Sequence, residues 1–159
     1  MKNNKTKKYA EPNIKPSLAK DISMAYITNS PMNIFPEINF EHIKKSRLGI
    51  AFNEFIRIVK ESPFSINEWA EYIHLSERSM LRYKTDKKKF SPINSEKIIK
   101  LEQLIIKAND VFGDAEKAKR WFHSPNRVLG SAPVDLLDTS FGIDKVTQVL
   151  GRIEYGIYS

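Results

Sequence analysis

Basic side chains crowd the stretch from Ser76 to Phe90, where acidic ones are few. Arg78 and Arg82 stand four residues apart, so both project from one side of a helix, with Ser79 beside them. Arginine reads guanine edges through paired hydrogen bonds in the major groove, while hydroxyls and lysines hold phosphates. The pattern therefore favours a DNA ligand over a purely solvated cationic face. The candidate DNA-binding residues are Ser76, Arg78, Ser79, Arg82, Lys84, Lys87 and Lys88.

An apolar residue, Leu81, takes an outward position on the same predicted helix. Its side chain could contact a thymine methyl group or a partner subunit. It could equally indicate that the helix has lost its DNA role. The sequence leaves these interpretations open.

Residues for catalysis or metal binding follow no recognisable pattern. His42, His74 and His123 are scattered singly, without metal-ligand spacing. The sequence also lacks a nucleophile elbow, a P-loop and a dinucleotide-binding glycine motif. Asp135 and Asp138 share a short predicted helix, where aspartate ordinarily interacts with the helix dipole. We therefore expect no enzyme activity, no metal and no cofactor.

The charge of the chain is unevenly distributed. Of the formal net charge of +7, residues 1–60 carry +6, residues 61–110 carry +1 and residues 111–159 carry none. Such an excess attracts polyanions, nucleic acid above all, although it also serves solubility. Cysteine is absent and no run approaches the roughly 18 apolar residues of a membrane span. These features suit a cytoplasmic protein.

The spacing of apolar residues predicts an all-α protein. Residues 1–20 are rich in Lys, Asn and Pro and are interpreted as a flexible basic arm, followed by an extended connection over 21–40. One helix is then predicted over 41–61. Its apolar face consists of Leu48, Phe52, Phe55 and Val59.

Two short helices follow, and their boundaries are marked by capping residues. Ser65 and Glu68 form a capping-box pattern before the first helix, which should end near His74. Ser76 is a suitable N-cap for the second helix, through about Tyr83. This arrangement is typical of a helix-turn-helix, whose second helix carries the arginines.

A long helix is predicted from Ser91 and Pro92 to about Asn109. Its main apolar stripe is Ile98, Leu101, Ile105 and Ala108. Ile99 and Ile106 lie about a quarter turn away. Because a helix apolar on two sides needs cover on both, either it lies between two domains or the second stripe meets another subunit. Ile99 and Ile106 are therefore the candidate dimerisation residues.

The last third of the chain is predicted as short helices. One runs from Asp114 to about His123, another begins at Pro133 and is closed by Gly142, and the last is capped by Asp144 and reaches about Tyr155. On the last helix, the core-facing residues are Val146, Val149, Leu150 and Ile153, and the opposite stripe is Lys145, Gln148, Arg152 and Tyr155.

An apolar, aromatic tail follows this helix. Gly156 is expected to end the helix in a left-handed conformation, leaving Ile157, Tyr158 and Ser159 beyond it. Arginine and tyrosine are enriched in binding hot spots, so the stripe and the tail form a candidate binding surface. The alternative is that the tyrosines fold back onto the domain.

The segment from Val111 to Ser159 resembles the C-terminal toxin-binding domain of Xre/MbcA/ParS-type antitoxins. The similarity rests on the opening VFGD, the spaced pattern W-x-x-x-P-N-x-x-L-G, the short helix P-x-D-L-L and the closing V-x-x-x-L-x-R-I-x-Y-G. The preceding LSERSMLRYKTDKKKFSP is similar to the Xre-like helix-turn-helix of the same proteins. Met80 and Leu81 depart from the usual pattern, as does the N-terminal arm.

The resemblance implies a type II antitoxin whose partner is a RES-domain, NAD-degrading toxin. It also implies that the end of the C-terminal domain covers the toxin's active-site entrance, through Gln148, Arg152, Tyr155, Ile157, Tyr158 and Ser159. The helix-turn-helix would repress the operon by binding operator DNA, as a homodimer or within a larger toxin–antitoxin complex.

Three segments follow from these interpretations: a flexible arm and connection over 1–40, an Xre-like DNA-binding domain over 41–110, and a toxin-binding domain over 111–159. The alternative function is that of a transcriptional regulator whose C-terminal domain serves only dimerisation or sensing. A pull-down would separate the two, because only an antitoxin should retain an NAD-hydrolysing partner.

Overall fold

The computed structural model describes residues 40–157, and their regular structure is helical. Apart from two isolated backbone bridges, Ala51–Lys89 and Asn126–Ser131, these residues form no β-structure. The prediction of an all-α protein is therefore confirmed for this part of the chain. The predicted arm and most of the connection lie outside the described residues. The helices are α1 Phe40–Leu48, α2 Phe52–Glu61, α3 Ile66–Tyr72, α4 Glu77–Thr85, α5 Pro92–Phe112, α6 Ala115–His123, a 3₁₀ helix Pro133–Leu136, and α7 Ser140–Glu154.

The single helix predicted over 41–61 is wrong, because the chain turns sharply at Gly49. Gly49 has φ +79°, and a Cβ there would lie 2.6 Å from the carbonyl oxygen of Phe90. The next residue, Ile50, accepts a hydrogen bond from the Phe90 amide and donates one to the buried Ser95 hydroxyl. The corner therefore separates α1 from α2 and anchors both to the start of α5. Leu48, expected in the core, is 63% exposed.

Helices α3 to α6 begin where their capping residues predict them. Ser65 and Glu68 form a complete capping box at α3, and Ser76, Ser91 and Asp114 each accept a backbone hydrogen bond at the start of α4, α5 and α6. Each cap satisfies amides that have no partner inside the helix. These contacts are local, which is why the sequence alone places them correctly.

Helix α5 is the centre of the fold and contacts α1, α6 and α7. Its predicted main stripe is confirmed, since Ile98, Leu101, Ile105 and Ala108 are all buried. The second stripe divides: Ile99 is only 5% exposed, whereas Ile106 is 48% exposed. The buried side chains of α2 to α7 belong to one continuous cluster. The two predicted helical domains therefore share a core, and the boundary near residue 110 stays a prediction.

The start of α7 corrects a second prediction. Gly142 does not close the preceding segment and Asp144 is not the N-cap: the helix begins at Ser140, capped by the Thr139 side chain, which accepts a hydrogen bond from the Gly142 amide. Asp144 lies in the second turn, where its carboxylate pairs with Lys100 at 2.9 Å. Within residues 40–157, no helix has the length and apolar character that crossing a bilayer requires.

Candidate functional site

The first candidate surface is the exposed side of α4. Met80 is buried, and the Tyr83 ring stacks on Phe90 with ring centres 4.7 Å apart, so these two residues fix how the helix is rotated. Arg78 and Arg82 consequently lie on the exposed side, as predicted. Neither forms an ion pair with any residue from 40 to 157. Both guanidinium groups are therefore available to a ligand.

The two serines of this surface are engaged in the helix cap. The Ser76 hydroxyl accepts a hydrogen bond from the Ser79 amide at 3.2 Å and lies 3.0 Å from the Ser79 hydroxyl. Ser76 is exposed and Ser79 is half-buried. One of the two hydroxyls donates to the other, and the remaining one keeps its donor for an external acceptor such as a phosphate. The serines therefore pre-form the N-terminal end of α4 next to the arginines.

The predicted lysines follow the helix on an ordered turn. Lys84, Lys87 and Lys88 are exposed, and Lys88 pairs with Asp86 at 2.9 Å. Lys87 is left-handed, with φ +49°, and the next amide returns to the Tyr83 carbonyl oxygen at 3.2 Å. The structure thus brings Arg78, Ser79 and Arg82 together on one side of α4 and places Lys87 and Lys88 on the turn after it, whereas Lys84 lies around the helix, beside Leu81. Leu81, 63% exposed, lies on the same helix.

Two side-chain contacts connect the α3–α4 pair to the C-terminal helices. The Nε2 atom of His123 in α6 lies 3.1 Å from Glu68 Oε1, while Oε2 of the same carboxylate accepts from Ser65. Burial raises the pKa of Glu68, but the Ser65 hydrogen bonds and His123 together hold it below its ordinary value. The Lys97 ammonium, whose pKa burial lowers, donates to the Asp138 carbonyl oxygen and lies 3.3 Å from His74 Nε2.

These contacts give His74 and His123 structural partners, Lys97 and Glu68, that the sequence did not reveal. The capping carboxylate of Glu68 was visible in the sequence, but its partner lies 55 residues away. Among the described residues no three metal-ligating side chains come together. The contacts join the α3–α4 segment and the C-terminal segment in one packed unit.

The second candidate surface is the outer side and the end of α7. Val146, Val149 and Leu150 are buried as predicted, and Gly151 is buried with them. On the opposite stripe Gln148 is half-buried, Lys145 and Arg152 are exposed, and Tyr155 is 47% exposed. Arg152 has no ion pair within the described residues. The predicted stripe is therefore accessible.

The end of α7 is held rigidly. Gly156 has φ +68°, its amide donates to the Ile153 carbonyl oxygen, and the Ile157 amide donates to that of Arg152 at 2.8 Å, which is a Schellman motif. Lys107 of α5 pairs with Glu154 at 3.1 Å. Ile157 is 45% exposed, and Tyr158 and Ser159 lie outside the described residues. The motif directs the chain away from the helix end at a defined angle.

The segment that contains α6 and α7 is similar to a domain of known proteins. Residues 107–156 match the family model of the antitoxin Xre/MbcA/ParS C-terminal toxin-binding domain. An antitoxin Xre from Yersinia enterocolitica is 37% identical over 84 residues, and one from Photorhabdus laumondii is 39% identical over 84 residues. Each match covers 52% of this chain and 57% of the relative, so the chain spans little more than half the length of these relatives. Over about half of its length the chain is therefore similar to proteins named antitoxin Xre, and its exposed α7 surface lies within the segment that matches the toxin-binding domain.

Proposed function

We propose that this protein neutralises a RES-domain, NAD-degrading toxin by covering its active-site entrance with the end of α7 and the tail, and that it represses its own operon by binding operator DNA through α4. The observation that carries the proposal is the match of residues 107–156 to a toxin-binding domain. Within that match, Arg152 and Tyr155 are exposed on one stripe of α7, close to its end.

The chemistry of this surface suits a cleft that accommodates a dinucleotide. Tyr155 and Ile157 supply apolar area at low cost in backbone entropy, because the Schellman motif already fixes their backbone. Arg152 supplies a guanidinium without a partner among the described residues, and such a group pairs in a bidentate manner with carboxylates. A pocket that binds NAD also contains polar groups for the pyrophosphate and ribose, which Gln148 and the tail hydroxyls can meet.

Removing Gly156–Ser159 is expected to abolish neutralisation while leaving DNA binding unchanged, because the deletion takes away the tail that enters the cleft. The measurement is growth on co-expression with the toxin encoded nearby, together with NAD consumption by the purified toxin. A matched variant, Ile157→Ser with Tyr158→Ser, keeps the backbone cap and removes only the apolar side chains. If both variants still neutralise, Arg152 and Tyr155 on α7 become the toxin contact instead of the tail.

For the DNA side we expect Arg82→Ala to lower both affinity and base discrimination, by about 1 to 3 kcal/mol if it reads a guanine. Lys88→Ala should weaken binding equally on all sequences and reduce the salt slope by about 1. Titrations of operator and random duplexes at several salt concentrations measure both effects. An absence of DNA binding at low salt by the wild-type chain would reject this half of the proposal and leave toxin binding standing.

A further inference from the structure

An exposed phenylalanine at the beginning of α7 has no part in the proposed function as stated so far. The Phe141 side chain is 88% exposed, and it lies in the segment that matches the toxin-binding domain. Its backbone is nevertheless fixed, because Thr139 caps the helix by accepting from the Gly142 amide, and Gly142 lies against the Leu136 backbone. The fold therefore presents a large apolar side chain to solvent from a well-held helix turn.

Phe141 lies on the same exposed stripe of α7 as the proposed toxin contacts. At about 100° per residue, four further residues fall within about 40° of it around the helix axis: Lys145, Gln148, Arg152 and Tyr155. With a rise of about 1.5 Å per residue, Phe141 and Tyr155 are separated by about 21 Å along the helix. The stripe thus has an exposed aromatic ring at each end.

The charges of α7 indicate what kind of surface is complementary to this stripe. The carboxylates of Asp144 and Glu154 pair with lysines of α5, at 2.9 and 3.1 Å. The two basic residues of the helix, Lys145 and Arg152, are exposed and form no ion pair with another residue from 40 to 157. Both available charges are therefore positive, and the complementary surface is acidic. The backbone of duplex DNA would meet the two cations but not the phenylalanine ring, so a protein partner is favoured.

We propose that Phe141 is an anchor that holds the toxin at a site separate from the entrance covered by the tail. This inference rests on the proposed function, since the toxin is the partner. The Phe141 ring enters an apolar depression on the toxin, and Lys145 and Arg152 face acidic residues beside it. Aromatic side chains that fill such depressions carry most of the binding energy of an interface, and the fixed first turn of α7 lowers the entropy lost on binding.

The separation along the helix gives the two ends of α7 different roles. The N-terminal end, with Phe141, supplies affinity, whereas the C-terminal end and the tail block the entrance. A chain without residues 156–159 should consequently still bind the toxin, although it no longer inhibits it. A chain without the Phe141 ring should bind weakly, yet inhibit fully once it is in sufficient excess.

The test measures binding and inhibition separately, with the full chain and the purified toxin encoded nearby. Calorimetric titration gives the Kd, and NAD consumption at saturating antitoxin gives the inhibition. Phe141→Ala is expected to raise the Kd by about 30-fold or more, with inhibition at saturation unchanged. Removal of residues 156–159 should change the Kd by less than about tenfold and leave NAD consumption uninhibited.

Two further variants serve as controls for the anchor. Phe40→Ala removes a ring that is 79% exposed on α1, outside the matched segment, and should leave the Kd unchanged. Phe141→Leu keeps an apolar side chain and should retain most of the affinity. Because the Phe141 side chain is exposed, neither of its variants should shift the thermal unfolding transition.

Charge reversal tests the sign of the toxin surface. Lys145→Glu should raise the Kd by about tenfold and make binding less sensitive to salt. An increase in affinity would mean that the facing surface is basic, and would overturn the proposal.

Other outcomes would also overturn it. A Kd that Phe141→Ala leaves unchanged, or that Phe40→Ala raises equally, removes the anchor. Loss of operator binding or of self-association in Phe141→Ala, with toxin affinity intact, would assign the ring to DNA or to a second copy of the chain. Loss of binding on removal of residues 156–159 would mean that the two ends of α7 have no separate roles. In these cases the proposed function stands, whereas a wild-type chain that does not bind the toxin would reject both.

Discussion

Gly142→Ala is expected to destabilise the protein by about 2 to 3 kcal/mol. A Cβ at this position would lie 1.8 Å from the carbonyl oxygen of Leu136 and 2.7 Å from its carbonyl carbon, both backbone atoms of the 3₁₀ helix that cannot rotate away. Alanine is favoured over glycine inside a helix by about 1 kcal/mol, which is smaller than the cost of separating two packed backbones. Because α7 carries the proposed toxin surface, the Gly142→Ala variant should also stop neutralising the toxin at a lower temperature than the wild-type protein does.

Denaturant unfolding monitored by circular dichroism measures this change. Gly113→Ala is the matched control, since φ there is +64° but no atom lies within 4 Å of the position of a Cβ. That variant should lose about 1 to 2 kcal/mol through backbone strain alone. If Gly142→Ala costs no more than Gly113→Ala, the close approach of α7 to Leu136 is not a constraint on the fold.

Trp69→Ala is expected to cost about 3 to 5 kcal/mol, a large part of the stability of an ordinary domain. The Trp69 side chain is fully buried, its ring meets Phe55 edge to face with centres 5.6 Å apart, and its Nε1 donates to the Ser62 hydroxyl at 2.8 Å. Truncation would leave a large cavity between α2 and α3. The orientation of α4 relative to the rest of the protein depends on this packing.

In Trp69→Ala the single remaining tryptophan is Trp121 in α6. Its fluorescence reports whether the C-terminal helices are destabilised as well. Since the buried cluster is continuous, the Trp121 fluorescence transition should shift together with the circular dichroism transition. Trp69→Phe keeps an aromatic ring but removes the hydrogen bond. It should therefore cost about 1 kcal/mol for that bond, and a small further amount for the cavity that the smaller ring leaves. An unchanged Trp121 transition in Trp69→Ala would mean that the two halves unfold independently.

The packing of α3 against the C-terminal helices has a consequence for a protein with two candidate surfaces. Helix α4 contacts α3, and α3 and the turn after it are joined to the C-terminal part by the contacts of His123 with Glu68 and of Lys97 with His74 and Asp138. Rotation of α7 upon toxin binding would therefore strain contacts that orient α3. This arrangement gives the two proposed activities a physical route of coupling.

The sequence alone determined the features that depend on residues within about four positions of one another. The capping serines, the helix-ending Gly156, the buried stripe of α5 and the exposed positions of Arg78, Arg82, Arg152 and Tyr155 were predictable for this reason, whereas the helix-ending role of Gly113 was not predicted. Motifs spaced over the last third also sufficed to indicate the domain model that residues 107–156 match. The ligands of the exposed residues stay predictions.

Only the tertiary structure decided the features that depend on distant residues. The break between α1 and α2 requires the Phe90 carbonyl and the Ser95 hydroxyl, which lies 45 residues from the Ile50 amide to which it is bonded. Gly142 lies inside α7, where the backbone of Leu136 approaches it closely. Ile99 is buried and Ile106 is exposed because of the positions that α1 and α7 take around α5. Periodicity tells which side of a helix is apolar, but it contains no information about which neighbour, if any, covers that side.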